Sequence, residues 1–203
     1  MSTVVKNQLR VCLLSVKYNI MRAMVNRVAF LMNILFMILN NASFIIQWLI
    51  LLGLKPEIGG YTLREIMLFW GLAASSYGLA NIFFARAFSL PDLIISGKLD
   101  SFLVQPKSVL LSVITSATAS SAIGDFLYGL AIICAFCFSV QRLLLFLLFA
   151  VTGAVIITAF AVLMGSLSFW FVKAEVFGSN MVNSTINFST YPDGIFDGAA
   201  RFL

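Results

Sequence analysis

Residues 143–172 contain no aspartate, glutamate, lysine or arginine. About 20 consecutive apolar residues cross a bilayer as a helix, and this run is longer. Similar runs cover 28–52, 63–84 and 109–138. Hydrocarbon offers no partner to a backbone N–H or C=O, so each run must satisfy its own backbone as a helix. Composition agrees. The 203 residues are 61% hydrophobic and only 10% charged, against about 25% charged in soluble domains, so the chain cannot coat a globule with a polar surface. The expectation is an all-α integral membrane protein: one transmembrane domain over 1–203 with an N-terminal amphipathic surface helix and about four transmembrane helices.

The surface helix is expected over 3–26. Lys6, Arg10 and Lys17 fall on one stripe at helical spacing, with Val5, Leu9, Val16 and Ile20 to one side. Arg22 and Arg27 complete a basic run that interrupts any signal-peptide core. Orientation then follows from counting. With the N-terminus in the cytoplasm, Lys6, Arg10, Lys17, Arg22, Arg27, Arg86, Lys98, Lys107, Lys173 and Arg201 lie inside, ten of the 13 cationic residues. Lys55, Arg64 and Arg142 lie outside. The positive-inside rule favours that arrangement. The net charge of +5 therefore belongs to membrane flanks, and a nucleic-acid partner is not indicated.

Polar residues inside the spans need partners. Asn33, Asn40, Asn41 and Gln47 lie in the first span; they either line a translocation path or bond neighbouring helices. Asp125, in the third, either serves such a path or sits near the far interface, since a carboxylate at mid-bilayer costs about 3 kcal/mol or more. Gly71 with Ser75, and Ala74 with Gly78, have the four-residue spacing that lets helices approach closely. Residues 173–203 are less apolar and read as a connection toward a further span. On this topology the sequons at Asn183 and Asn187 are cytoplasmic and inert.

Catalysis finds little support. The chain has no histidine, which removes imidazole chemistry and most metal sites. Cys134 and Cys137 lie within an apolar run and read as packing residues. Gly97-Lys98 is followed by leucine, not by the Ser or Thr of a phosphate loop. A membrane aspartyl protease needs two carboxylates, and Asp125 has no deep companion. No catalytic residue, metal or cofactor is expected.

The longest polar stretch is 89–108, SLPDLIISGKLDSFLVQPKS. Pro91 suits a first helical turn, Ser89 a cap before it and Ser96-Gly97 an end. Leu93, Ile94, Leu99, Phe102 and Leu103 offer apolar anchors, with Asp92, Lys98 and Asp100 at the rim.

Two motifs bear a family resemblance. Gly97-Lys98-Leu99-Asp100 through Leu103 to Pro106 resembles the G-x-L-D-x-x-L-x-x-P signature in the cytoplasmic loop of export-type ATP-binding-cassette permeases. Tyr191-Pro192-Asp193-Gly194-Ile195-Phe196, continuing to Arg201, resembles a segment before the fifth span in one branch of them. Gln105 and Asp197 depart from the usual basic residue and second proline. The resemblance implies about six spans, and the chain reads as truncated before the fifth. It implies a permease subunit of an ATP-driven exporter in a bacterial cell membrane, paired with a second permease subunit, identical or not. A cytoplasmic dimer of ATP-binding subunits would hydrolyse ATP and dock on a coupling helix over 91–103, at Asp92, Leu93, Ile95, Gly97, Leu99, Asp100, Leu103 and Pro106. Asn40, Asn41, Gln47 and Asp125 would line the path. A truncated copy acting as a non-transporting scaffold or assembly subunit is the alternative.

Overall fold

The computed structural model describes residues 3–54, 57, 59–137, 139–171 and 174–191, without the side chains of 3–5, 137, 174 and 175. Among them the secondary structure is helical, and the fold is an all-α membrane fold. Three stretches are long and apolar enough to cross a membrane: Arg27–Leu54, Leu63–Ile95 and Val140–Phe169.

Helix α1 (Thr3–Ala23) carries Lys6, Arg10 and Lys17 exposed and Val16 buried. The Asn19 side chain donates to the Thr115 carbonyl at 3.1 Å. Asn26 starts α2 (Arg27–Leu54), its side chain accepting from the Ala29 N–H at 3.1 Å, which satisfies one orphan donor of the first turn. At 1.5 Å per residue α2 is about 42 Å long. Only Asn41 and Trp48 are buried on it, so it stands at the edge of the bundle.

Helix α3 (Leu63–Phe84) is the centre, buried from Ile66 to Ile82 on one broad face. Its small residues receive the later helix α7 (Ala122–Cys137). A methyl group built on Gly71 would stand 3.2 Å from the Ile132 side chain, and one on Gly78 2.8 Å from the Ala122 carbonyl oxygen. Between helices in lipid, such backbone proximity supplies much of the attraction, because apolar burial supplies none.

The chain leaves α3 through a 3₁₀ turn (Ala85–Ser89) into α4 (Leu90–Ile95) and α5 (Asp100–Leu103). It re-enters as α6 (Val109–Ile114). The run 109–138 is not one helix. Residues 115–121, Thr-Ser-Ala-Thr-Ala-Ser-Ser, break it between α6 and α7. Hydroxyl side chains compete for backbone groups and lower helical preference, and neighbours stabilise the irregular backbone. Besides Asn19, the Asn33 amide donates to Ser120 Oγ at 3.2 Å, the Ala119 N–H donates to the Asn81 carbonyl at 3.0 Å, and Arg86 Nε reaches Ser116 Oγ at 3.4 Å. Irregular backbone at membrane depth is tolerated where protein satisfies it in this way.

Helix α8 (Val140–Ser166) returns and ends in a 3₁₀ turn (Leu167–Phe169). Within 173–203, read as a connection toward a further span, the described part is helical. Helix α9 (Ala174–Ser189) folds back antiparallel to α8. Gly178 lies on Met164, Val182 packs with Ala161, and Tyr191 meets Trp48 with ring centroids 6.1 Å apart. The helix thus runs from the 89–108 side toward the far side. The remainder of that reading, including the motif beyond Tyr191 and Arg201, lies outside the described residues.

Candidate functional site

Two features combine exposed or buried polarity with defined geometry. The first is the elbow 89–108. Pro91 occupies the first turn of α4, where its missing N–H costs nothing. Ser89 makes no capping bond; its hydroxyl instead donates to the Arg86 carbonyl at 3.5 Å. Gly97 has φ +70, a left-handed turn that glycine adopts without steric penalty. The turn closes with the Gly97 N–H on the Ile94 carbonyl at 3.1 Å and the Leu99 N–H on the Leu93 carbonyl at 3.1 Å.

This turn sorts the elbow into root and tip. Leu90, Leu93 and Leu99 are buried with Val113, against Val162 of α8. Leu93 and Leu99, read as docking anchors, are therefore core residues. The turn at Gly97 folds α5 back beneath α4, so both leucines face α6 and α8. Of the other predicted docking positions, Asp92, Ile95, Gly97, Asp100, Leu103 and Pro106 are exposed, and so are Lys98 and Val104. Arg86, Asp92, Ile95 and Lys98 border a shallow hollow of about 310 Å³ beside the elbow.

The second feature is an intramembrane cleft of about 450 Å³ between α2, α3, α7 and α9. Asn40, Asn41 and Asp125 line it; Gln47 does not and is exposed. Asp125 is 3% exposed and Asn41 4%. The Asn41 amide donates to Asp125 Oδ1 at 2.5 Å and to the Met37 carbonyl at 3.1 Å. Asn41 stands at the midpoint of α2, so Asp125 lies deep in the bundle. The break at 115–121 shortens the helical path from the elbow, and α7 begins only just before Asp125. Asp125 Oδ2 accepts no hydrogen bond among the described residues.

Residues not singled out in the sequence complete the cleft. Asn183, Asn187 and Thr190 of α9 and its end line one wall, and Phe44 stacks on Trp70 at 4.0 Å on another. Asn183 and Asn187 had registered only as sequons. The signal for them was present: Asn180, Asn183, Asn187 and Thr190 repeat at three and four residues, one polar face of a helix. A smaller cavity of about 180 Å³ shares Tyr77 and Asn183 with the cleft and reaches Pro91 and Asp92. The elbow and the buried carboxylate thus border two neighbouring cavities that share these two residues.

A family model described as ABC-2 family transporter protein matches residues 18–203. The chain belongs to the ABC-2 transporter family. It is a multi-pass membrane component, a permease of an ABC transporter, and such a transporter includes an ATP-binding partner. No curated protein and no solved structure matches it.

Proposed function

We propose that this permease is the membrane subunit of an ATP-driven exporter and that the tip of its elbow receives a separate cytoplasmic ATP-binding subunit. The observation that carries this reading is the division of the elbow. Its tip presents Ile95, Leu103 and Val104 beside Asp92, Lys98 and Asp100, while its root is packed into α6 and α8. A methyl group on Gly165 of α8 would stand 3.1 Å from Leu90 Cβ and 3.3 Å from Pro91 Cδ. A force on the tip would therefore reach α3, α6 and α8 without first deforming a flexible loop. The two neighbouring cavities, one bordered by Asp92 and the other by Asp125, support a path that those helices would open or close, lined by Asn40, Asn41 and Asp125.

The cytoplasmic N-terminus rests on the charge count, nine to three without Arg201. Outward direction, a bacterial cell membrane, a second permease subunit and a pair of ATP-binding subunits follow the motif at Gly97 to Pro106. The test is co-purification with its cognate ATP-binding protein. Asp100→Lys with Leu103→Asp, both at the tip, should abolish capture while leaving the permease folded by size-exclusion chromatography. Undiminished capture would refute docking at the elbow.

A further inference from the structure

Asp125 has lost its hydration and gained one amide hydrogen bond in exchange. Ionised carboxylates in membranes pair with a cation, a backbone group or water. Among the described residues no lysine or arginine lines the cleft. Its walls are instead the amide side chains of Asn40 and Asn187 and the stacked rings of Phe44 and Trp70. Aromatic faces attract cations, and more strongly when water is excluded. The cleft volume, about 450 Å³, lies in the range that encloses drug-sized ligands, roughly 300–1,000 Å³. An inorganic cation would be served by a tight cage of several oxygens, not by a cleft of this size with an aromatic wall.

We propose that the cleft is a binding site for hydrophobic organic cations, with Asp125 as counter-ion and the Phe44–Trp70 pair as the face on which the apolar body rests. This deepens the exporter reading and rests on it for the step that would move the ligand. Such a molecule partitions into the bilayer by its apolar surface and brings the charge that the cleft lacks. Asn41 orients the carboxylate: it holds Oδ1, while Oδ2 accepts no hydrogen bond among the described residues, so the negative charge is left without a cationic partner at the cleft.

The full chain, purified in detergent, is tested with radiolabelled tetraphenylphosphonium by equilibrium dialysis. Binding should saturate. Asp125→Asn keeps the shape of the side chain and an oxygen for the Asn41 amide, and should weaken binding by about tenfold or more, the loss expected for removing a buried charge partner. Asp125→Glu should restore most of it. Phe44→Leu, away from the carboxylate, should weaken binding about threefold. Tetraphenylborate, of the same shape and opposite charge, should not compete, and neither should sodium chloride. No saturable binding, equal affinity in Asp125→Asn, or competition by the anion or by sodium would overturn the proposal. Each variant is also scored for capture of the ATP-binding subunit. Lost cation binding with capture intact is the expected outcome for Asp125→Asn. Capture that fails in the wild type, with cation binding intact, removes the docking reading and leaves the site.

Discussion

Replacing single glycines by alanine tests whether α3 and α7 are held by backbone proximity, because the structure ranks three positions in advance. At Gly78 the added methyl would stand 2.8 Å from the Ala122 carbonyl oxygen, 2.9 Å from the Phe126 nitrogen and 3.1 Å from Asp125 Cβ. Two of these are backbone atoms that cannot rotate away, so α3 and α7 must part by about half an ångström to restore ordinary contact. At Gly129 the methyl would overlap the Gly71 carbonyl oxygen and Ser75 Oγ, and a larger separation is required. At Gly53, near the end of α2, nothing lies within 4 Å. Alanine is favoured over glycine inside a helix by about 1 kcal/mol. Overpacking costs about 1–3 kcal/mol. The net expectation is stability unchanged or raised by up to about 1 kcal/mol for Gly53→Ala, lowered by about 1 kcal/mol for Gly78→Ala, and lowered by about 2 kcal/mol for Gly129→Ala. Thermal unfolding in detergent, followed by the fluorescence of buried Trp48 and Trp70, reads the order directly. A Gly129→Ala protein that unfolds at or above the wild-type temperature would refute the close α3–α7 seam. Gly78→Ala carries a second consequence, since relief of its clash displaces Asp125.

Three further perturbations have defined outcomes. Asn41→Leu removes the donor to Asp125 and should destabilise the protein by about 2 kcal/mol; in a double-mutant cycle by thermal unfolding, Asp125→Leu in the same background should recover much of that loss. Gly97→Ala forces a side chain into the left-handed region at φ +70 and should cost about 1 kcal/mol by unfolding, with reduced capture of the ATP-binding subunit if the turn shapes the tip. Leu99→Ala, at 8% exposure, should cost about 2–4 kcal/mol, whereas Leu103→Ala, at 57% exposure, should change stability by no more than about 0.5 kcal/mol and act on capture alone.

What could be read in the sequence depended on the length over which a pattern repeats. Helices α2, α3 and α8 announce themselves because uncharged apolar residues continue past the thickness of a bilayer, and the small residues of α3 showed their spacing over two turns. The elbow did not. Helices of six and four residues are shorter than two turns, too short for a period to repeat, so nothing in the pattern separates buried Leu93 and Leu99 from exposed Ile95 and Leu103. Only the fold of the chain at Gly97 decides it. The break at 115–121 contains neither glycine nor proline, and its hydroxyls suit a helix or a turn equally until Asn19, Asn33, Asn81 and Arg86 are brought to it from α1, α2, α3 and the 3₁₀ turn after α3.

Being less apolar, 173–203 reads from the sequence as a connection toward a further span, with no helix against the bundle. The relevant comparison is with what the helix faces. Asn183 and Asn187 look into a cleft that also holds Asp125, while Val182 and Ile186 pack on the apolar residues of α8 and the 3₁₀ turn. A stripe of amides three and four residues apart is costly on a lipid-facing helix and harmless on one that walls a polar cavity. The same logic applies to Asn40 and Gln47, which lie seven residues, about two turns, apart on nearly the same face of α2. One borders the cleft and the other does not, although their side chains are chemically almost alike. Within a membrane protein the amide identifies a need for a partner, and its height along the helix, as much as its face, decides whether that partner is another helix, lipid headgroups or a ligand.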